Sequence, residues 1–204
     1  LCDQTSNYRG DHRVLYPLSR DQRERRSSLM RPRLVVHIGE VSASHLPIPN
    51  KVWRVSESGE VQDPMRALTH VFEMPEVDFF EMYAAGNNTR ASGSSLDEWK
   101  TDLEGLRTKT PVLPFSNVWI ASVCAPKLPE GCVLHLAIYN SLRCWNLFET
   151  PSSVECRSNV GGFGIDGSLS SMLGSSLALP LKIHFLITGD LAFFYDMNAL
   201  GNRH

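Results

Sequence analysis

Residues 158–198 read SNVGGFGIDGSLSSMLGSSLALPLKIHFLITGDLAFFYDMN. The order is a glycine-rich loop, a helix, a β-strand and a Gly-Asp turn that opens a second helix. Gly161, Gly162, Gly164 and Gly167 fall within seven positions, enough backbone freedom for the chain to come close to a ligand. KIHFLIT, residues 182–188, is apolar at most positions and rich in β-branched and aromatic types, which predicts a parallel strand buried on both faces. Gly189-Asp190 then stands at the carboxyl end of that strand, where open α/β sheets bind ligands. A carboxylate followed at once by a helix amino terminus can hold a hard cation and a diphosphate together.

The same strand-then-helix grammar extends upstream. Residues 132–139, CVLHLAIY, read as a buried strand closed by Asn140-Ser141, just as Gly189-Asp190 closes the later one. Residues 142–148 predict a helix and residues 154–158 a short strand, so three strand ends, at Asn140, Ser158 and Gly189, could line one crevice. Residues 117–124 predict an amphipathic helix and residues 126–131 a turn. Earlier, LVVHIG (34–39), KVWRV (51–55) and HVFE (70–73) predict strands, with SASHLPIPN and SESGE as turns. Residues 77–84 and 95–106 predict helices. The second carries Leu96, Trp99, Leu103 and Leu106 at helical spacing, with Ser95 as its cap. Residues 14–29 carry a short helical pattern of unassigned role.

Alternating strands and helices give an α/β class of two Rossmann-like units with mainly parallel sheets, the second truncated at its carboxyl end. The Gly/Ser-rich run 86–95 reads as a surface loop. The two prolines of RTKTPVLP (107–114) mark a connection, so the expected domains are residues 1–108 and residues 109–204. A chain that starts at Leu1 and stops directly after a patterned α/β segment reads as part of something longer.

Composition narrows the function classes. The 204 residues carry a formal net charge of −2, which gives no electrostatic case for nucleic acid or an anionic membrane. The basic run 20–33 interleaves arginines with Asp21 and Glu24 and reads as a solvated helix face. Neither a transmembrane span nor a signal peptide is recognisable, so a cytoplasmic protein is expected. Five cysteines, Cys2, Cys124, Cys132, Cys144 and Cys156, without a CxxC pair, read as reduced thiols. The seven histidines show no ligand spacing, which gives no basis for a transition-metal site.

Asp190 has two readings on residues alone, a helix cap or a metal ligand, and the pattern leaves both open. There is no GxxxxGK[ST] sequence, and the glycines at 162, 164 and 167 follow a short polar segment with no ribose-binding acid after them. Neither a Walker A nor a dinucleotide fingerprint is present.

GFGIDGSLSSMLGSSLA followed by ITGDLAFFYDMNAL resembles the diphosphate-binding domain of thiamine diphosphate-dependent enzymes. Within that family it is most similar to the 2-succinyl-5-enolpyruvyl-6-hydroxy-3-cyclohexene-1-carboxylate synthases of menaquinone biosynthesis. The resemblance is strongest over residues 140–200. It implies thiamine diphosphate and Mg2+ as cofactors, a 2-oxo acid substrate and a homodimer or homotetramer. Ile165, after Gly164, matches the apolar wedge that bends the cofactor, and Asp190 matches the first magnesium ligand. Gly189, Leu191 and Ala192 match the turn that receives the diphosphate, and Asn140 and Ser141 match the family's NS motif. The resemblance places a second metal ligand, an Asn, beyond residue 204, and the activating glutamate in a domain before residue 1. It therefore implies no catalytic residue within the chain and no activity of the chain alone. Residues 1–108 would correspond to the family's central, structural domain.

Two departures bear on substrate. The menaquinone enzymes carry an Arg four residues after the Ser of NS, where this chain has Trp145, with Arg143 two positions earlier. They carry Asn-Arg-Gly before the glycine loop, where this chain has Asn159-Val160-Gly161. Losing two guanidinium forks removes charge-assisted contacts of roughly 1.5–3 kcal/mol each, which predicts a less anionic acceptor. The expected function is thus 2-oxo acid decarboxylation with carbon–carbon ligation, as a transferase or lyase. The alternatives are a non-catalytic α/β module that keeps the fold, or another phosphate-binding α/β enzyme.

Overall fold

A computed structural model describes residues 2–15, 31–39, 48–86, 94–159 and 164–202. The helical pattern of residues 16–29, most of the basic run, most of SASHLPIPN, the centre of the 86–95 loop, and Val160, Gly161 and Gly162 lie outside the described residues. The chain divides into two compact units. One holds the described residues between 31 and 100; the other joins residues 2–15 to residues 101–202. The division falls at Lys100/Thr101, and the amino-terminal segment belongs to the carboxyl-terminal unit. This differs from the expected single run of residues 1–108.

In the first unit, β1 (Leu34–His37), β2 (Lys51–Ser56) and β3 (Leu68–Glu73) form a parallel sheet in the order β1-β2-β3. Val52 and Val55 on the central strand are fully buried. α1 (Glu76–Gly86) follows β3 directly and buries Phe79. Trp53, Phe72, Phe79 and Tyr83 make an aromatic cluster with ring centroids 4.7–5.8 Å apart, tilted or edge-on as ring quadrupoles prefer. α2 (Ser94–Arg107) begins one residue earlier than Ser95, which is therefore inside the helix and not its cap. Its Leu103 and Leu106 are buried in the second unit.

The second unit is built on β4 (Val133–Leu136), β5 (Glu155–Ser158) and β6 (His184–Ile187), all parallel, in the order β5-β4-β6. α3 (Asn117–Cys124) is capped by the Ser116 hydroxyl, which accepts from Trp119 N–H at 3.2 Å. α4 (Asn140–Trp145) leaves β4, α5 (Ser168–Ala178) precedes β6, and α6 (Asp190–Asp196) follows it. The chain moves from β4 to β5 in one direction and then crosses β4 to reach β6. Right-handed crossovers in opposite directions must put their helices on opposite faces.

The side chains obey this. Leu134, Leu136, Cys156, Phe185 and Ile187 share one face and form a core with Ala121, Leu142 and Trp145 of α3 and α4. The other face carries His135, Arg157, Glu155 and His184, and there Arg157 Nη1 donates to Ser175 Oγ of α5 at 2.9 Å. β4 is buried at every position, as a strand between neighbours should be. β6 was expected to be buried on both faces. All four of its residues are only half-buried, because among the described residues it pairs on one side only.

The amino-terminal segment closes the far edge. Asn7 holds β5 through its side-chain amide: Cys156 N–H donates to Asn7 Oδ1 at 2.7 Å, and Asn7 Nδ2 donates to the Cys156 carbonyl at 2.9 Å. These are the two outward backbone groups that an edge strand leaves unpaired. Gln4, almost fully buried, anchors the segment: its N–H donates to Asn146 Oδ1, and its Oε1 accepts from Arg9 and Arg13.

Candidate functional site

The register of the second sheet aligns three strand ends: Leu136 pairs with Ser158 on one side and Ile187 on the other. Adjacent strands lie about 4.8 Å apart, so the turns leaving β4, β5 and β6 rise from one carboxyl edge. Since β4→β5 and β5→β6 run in opposite directions, the sheet reverses at β4, the arrangement that opens a crevice between β4 and β6.

The turn after β4 is strained. Tyr139 has φ 63° and ψ −123°, a region that β-carbon sterics leave to glycine. Its ring lies under Arg143, with Cζ 5.4 Å from the centroid, a cation–π contact. The strain turns the chain sharply, so that α4 starts at once with Asn140, exposed, and Ser141, half-buried. Trp145 does not face this edge: it is 3% exposed within the apolar core. Arg143 is the exposed guanidinium at this helix.

After β6, Gly189 caps α6 with an extended backbone, φ −77° and ψ 158°, and contributes no side-chain bond. A β-carbon added there would meet nothing within 4 Å, so the turn is open to approach. Asp190 is the first residue of the helix and not its cap. Its Oδ1 accepts from Leu191 N–H at 2.8 Å, and the carboxylate is exposed. The first-turn N–H groups of a helix have no intrahelical acceptors, and their partial positive charge favours an anion. Leu191 is 60% exposed and Ala192 is buried. Among the described residues no group of three His, Cys, Asp or Glu side chains surrounds Asp190 or any other point.

The glycine loop reaches its helix through Gly164, half-buried Ile165, Asp166 and Gly167. Gly167 caps α5 at φ 79°, a left-handed conformation, and like Gly189 it offers no side chain to the exposed N–H groups. Two residues that sequence reasoning left without a role fix this turn, Asn159 as a donor and Asp196 as the acceptor that Gly167 lacks. Asn159 Nδ2 spans the loop, donating to the Gly167 carbonyl at 3.0 Å and to Ser171 Oγ at 2.8 Å. Asp196, the last residue of α6, accepts from Ser170 N–H at 2.6 Å and from Ser170 Oγ at 2.5 Å. Partial burial pushes the Asp196 carboxyl up, but hydrogen bonds from the Ser170 hydroxyl and the Ser170 and Leu169 N–H groups outweigh it and hold the pKa below the usual carboxylate value. The available signal was a glycine where a capping side chain belongs, with a carboxylate further on in the DMN sequence.

A recess of about 360 Å³, lined by Arg107, Ser122, Phe148 and Glu149 among others, includes none of the predicted site residues. Those residues sit on open turns. Their chemistry is that of one wall: an exposed carboxylate, an open Gly189 turn at a helix end, a neighbouring glycine loop with an apolar side chain at 165, and the Asn140-Ser141 turn. They fit a magnesium-bridged diphosphate in charge and donor type, because Mg2+ takes oxygen ligands and commonly shares them between one or two carboxylates and phosphate.

No family model matches the chain. Among curated proteins it is 38% identical over 157 residues to a 2-succinyl-5-enolpyruvyl-6-hydroxy-3-cyclohexene-1-carboxylate synthase of Bacteroides fragilis. It is 36% identical over 156 residues to one of Phocaeicola vulgatus, and 33% identical over 159 residues to one of Flavobacterium psychrophilum. Each match covers 76% of this chain and 27–28% of the relative. The chain thus spans just over a quarter of the length of the curated relatives it matches. No helix among the described residues is long and apolar enough to cross a membrane.

Proposed function

Because the chain belongs to the family of thiamine diphosphate-dependent enzymes, we propose that its second unit is the diphosphate-binding wall of such a site. The whole enzyme would carry out 2-oxo acid decarboxylation with carbon–carbon ligation, as a transferase or lyase. The observation that carries this reading is the pairing of an open Gly189 turn with an exposed Asp190 carboxylate at the carboxyl edge of a reversing parallel sheet. Residues 1–100 have no group assigned to the chemistry, and the correspondence of the first unit to the family's central domain is part of the same proposal.

Bound thiamine diphosphate supplies a carbanion-stabilising centre that no side chain can provide. Asp190 would supply an oxygen ligand to Mg2+, and the open Gly189 turn would receive the diphosphate. Ile165 would offer apolar surface to the cofactor, and Asn140 and Ser141 would supply polar contacts at the neighbouring strand end. Leu191, Phe194 and Tyr195 recur at i, i+3 and i+4 on α6 and are 60–67% exposed. That face supports a homodimer or homotetramer of the whole protein, whose other domains would complete the site.

The acceptor in this reading carries less negative charge than the menaquinone precursor. Trp145 occupies the position of an acidic-substrate arginine and is committed to the core. Arg143, exposed over Tyr139, leaves one guanidinium for a single carboxylate.

Isothermal titration of this chain with thiamine diphosphate tests the proposal. Binding is expected only with Mg2+ present, and Asp190→Ala is expected to weaken it at least tenfold. Binding that ignores Mg2+, or that survives Asp190→Ala unchanged, would remove the basis for the reading.

A further inference from the structure

The two turns that form the proposed wall lie before and after β6 in the chain, and something must fix the distance between them. The hydrogen bonds around α5 identify what does so. A helix amino terminus normally finds its acceptor at the N-cap, whose side chain takes the N–H of N2 or N3. In α5 these are the N–H groups of Leu169 and Ser170, and the N-cap is Gly167, which has no side chain. The acceptor comes from Asp196 instead, 26 residues beyond Ser170 and at the opposite end of the helix that Asp190 begins. Asn159 fixes the loop from its other end by holding the Gly167 carbonyl and Ser171.

We infer that Asp196 is a positioning residue: by capping α5 from the end of α6, it sets the Gly164–Gly167 loop, and with it Ile165, against the Gly189–Asp190 turn. The inference rests on the thiamine diphosphate reading only for what the two turns hold; the clamp itself is a statement about this chain. It has a second consequence. The amino terminus of α5 is already filled by a built-in carboxylate, that of Asp196, and is closed to an incoming anion. The chain thereby distinguishes two similar Gly-preceded helices standing side by side on one sheet edge.

Hydrogen exchange and titration on the intact chain test this together. In Asp196→Ala, the amides of residues 164–167 and of Leu169 and Ser170 should exchange at least tenfold faster, while those of β4 keep wild-type protection. Asp196→Asn, which retains a carbonyl acceptor, should recover most of the protection. Acceleration confined to Leu169 and Ser170 would overturn the inference, since it would describe a cap that positions nothing. The second measurement compares Mg2+-thiamine diphosphate with Mg2+-inorganic diphosphate. Asp196→Ala should weaken the former at least fivefold more than the latter, because only the larger molecule spans from the Asp190 turn to Ile165. Equal losses for both would also overturn it. A wild-type chain that binds neither probe would end the thiamine diphosphate reading, and the exchange data would still decide whether Asp196 clamps the loop.

Discussion

The two sheets of this chain use the same parts and arrive at different capacities. In the first unit the strands run β1-β2-β3, each new strand added on the same side. Among the described residues this order has no reversal, so neighbouring strand ends do not send their chains apart to open a crevice. In the second unit the order β5-β4-β6 reverses at β4, and the three turns that could hold a ligand all leave that edge. The reversal also places helices on both faces, one packing Leu142 and Trp145 on Leu134 and Leu136, the other facing a polar layer that includes His135, Arg157 and Glu155. A binding wall depends less on how many strands a parallel sheet has than on whether their order turns back.

The largest expected difference between the sheets is in their cores. Trp145→Ala should cost about 3–5 kcal/mol of stability, as for other fully buried large side chains. Trp53→Ala, which removes a half-buried ring of the first sheet, should cost about 1–2 kcal/mol. Urea unfolding followed by circular dichroism measures both, and equal losses would erase the contrast.

The polar face of the second sheet should respond to acid. Burial first, then the positive charges of Arg157 and His184, against a smaller opposing effect of Glu155, lower the His135 pKa to about 4. The folded protein therefore keeps this imidazole neutral while the unfolded chain protonates it near pH 6.5. The unfolded state binds more protons between these values, so the contribution is fully present above pH 6.5 and is lost as pH falls towards 4. The full loss is about 3 kcal/mol. His135→Phe should flatten that part of the pH–stability profile, and an unchanged slope would place the titration elsewhere.

The smallest effect sharpens the comparison at the strand ends. Tyr139→Gly relieves a backbone conformation costing about 1–3 kcal/mol, against the added chain entropy of glycine. A net gain of about 1 kcal/mol in thermal or urea unfolding is expected. A net loss would mean that the stacked Arg143 matters more to this turn than its strain.

Much of this could be read from the chain. Apolar runs marked β1, β4 and β6, shorter mixed stretches marked β2, β3 and β5, and a helical period marked α1 to α3, because these patterns report burial that local geometry imposes. The strand-end residues Asn140, Gly189 and Asp190 were legible for the same reason: they follow buried strands directly. Other assignments failed where a partner far away decides the matter. Ser95 looked like a cap but sits inside α2, and KIHFLIT reads as a strand buried on both faces although it is half-buried. Asn7 closing the edge of β5 and Asp196 capping α5 join residues 149 and 26 positions apart, and no local pattern encodes such a pairing.

By itself the sequence determined the α/β class, the parallel strands and the Gly-Asp turn that a diphosphate and a hard cation would suit, since each follows from side-chain periodicity or backbone freedom within a few residues. Tertiary structure decided the rest. It set the strand order that reverses at β4, the return of residues 2–15 to the second unit, the strained Tyr139, and the carboxylate at the end of α6 that fills the amino end of α5. These depend on which surfaces meet after the chain has crossed the sheet, and that geometry is settled only when burial and hydrogen-bond satisfaction are resolved over the whole unit.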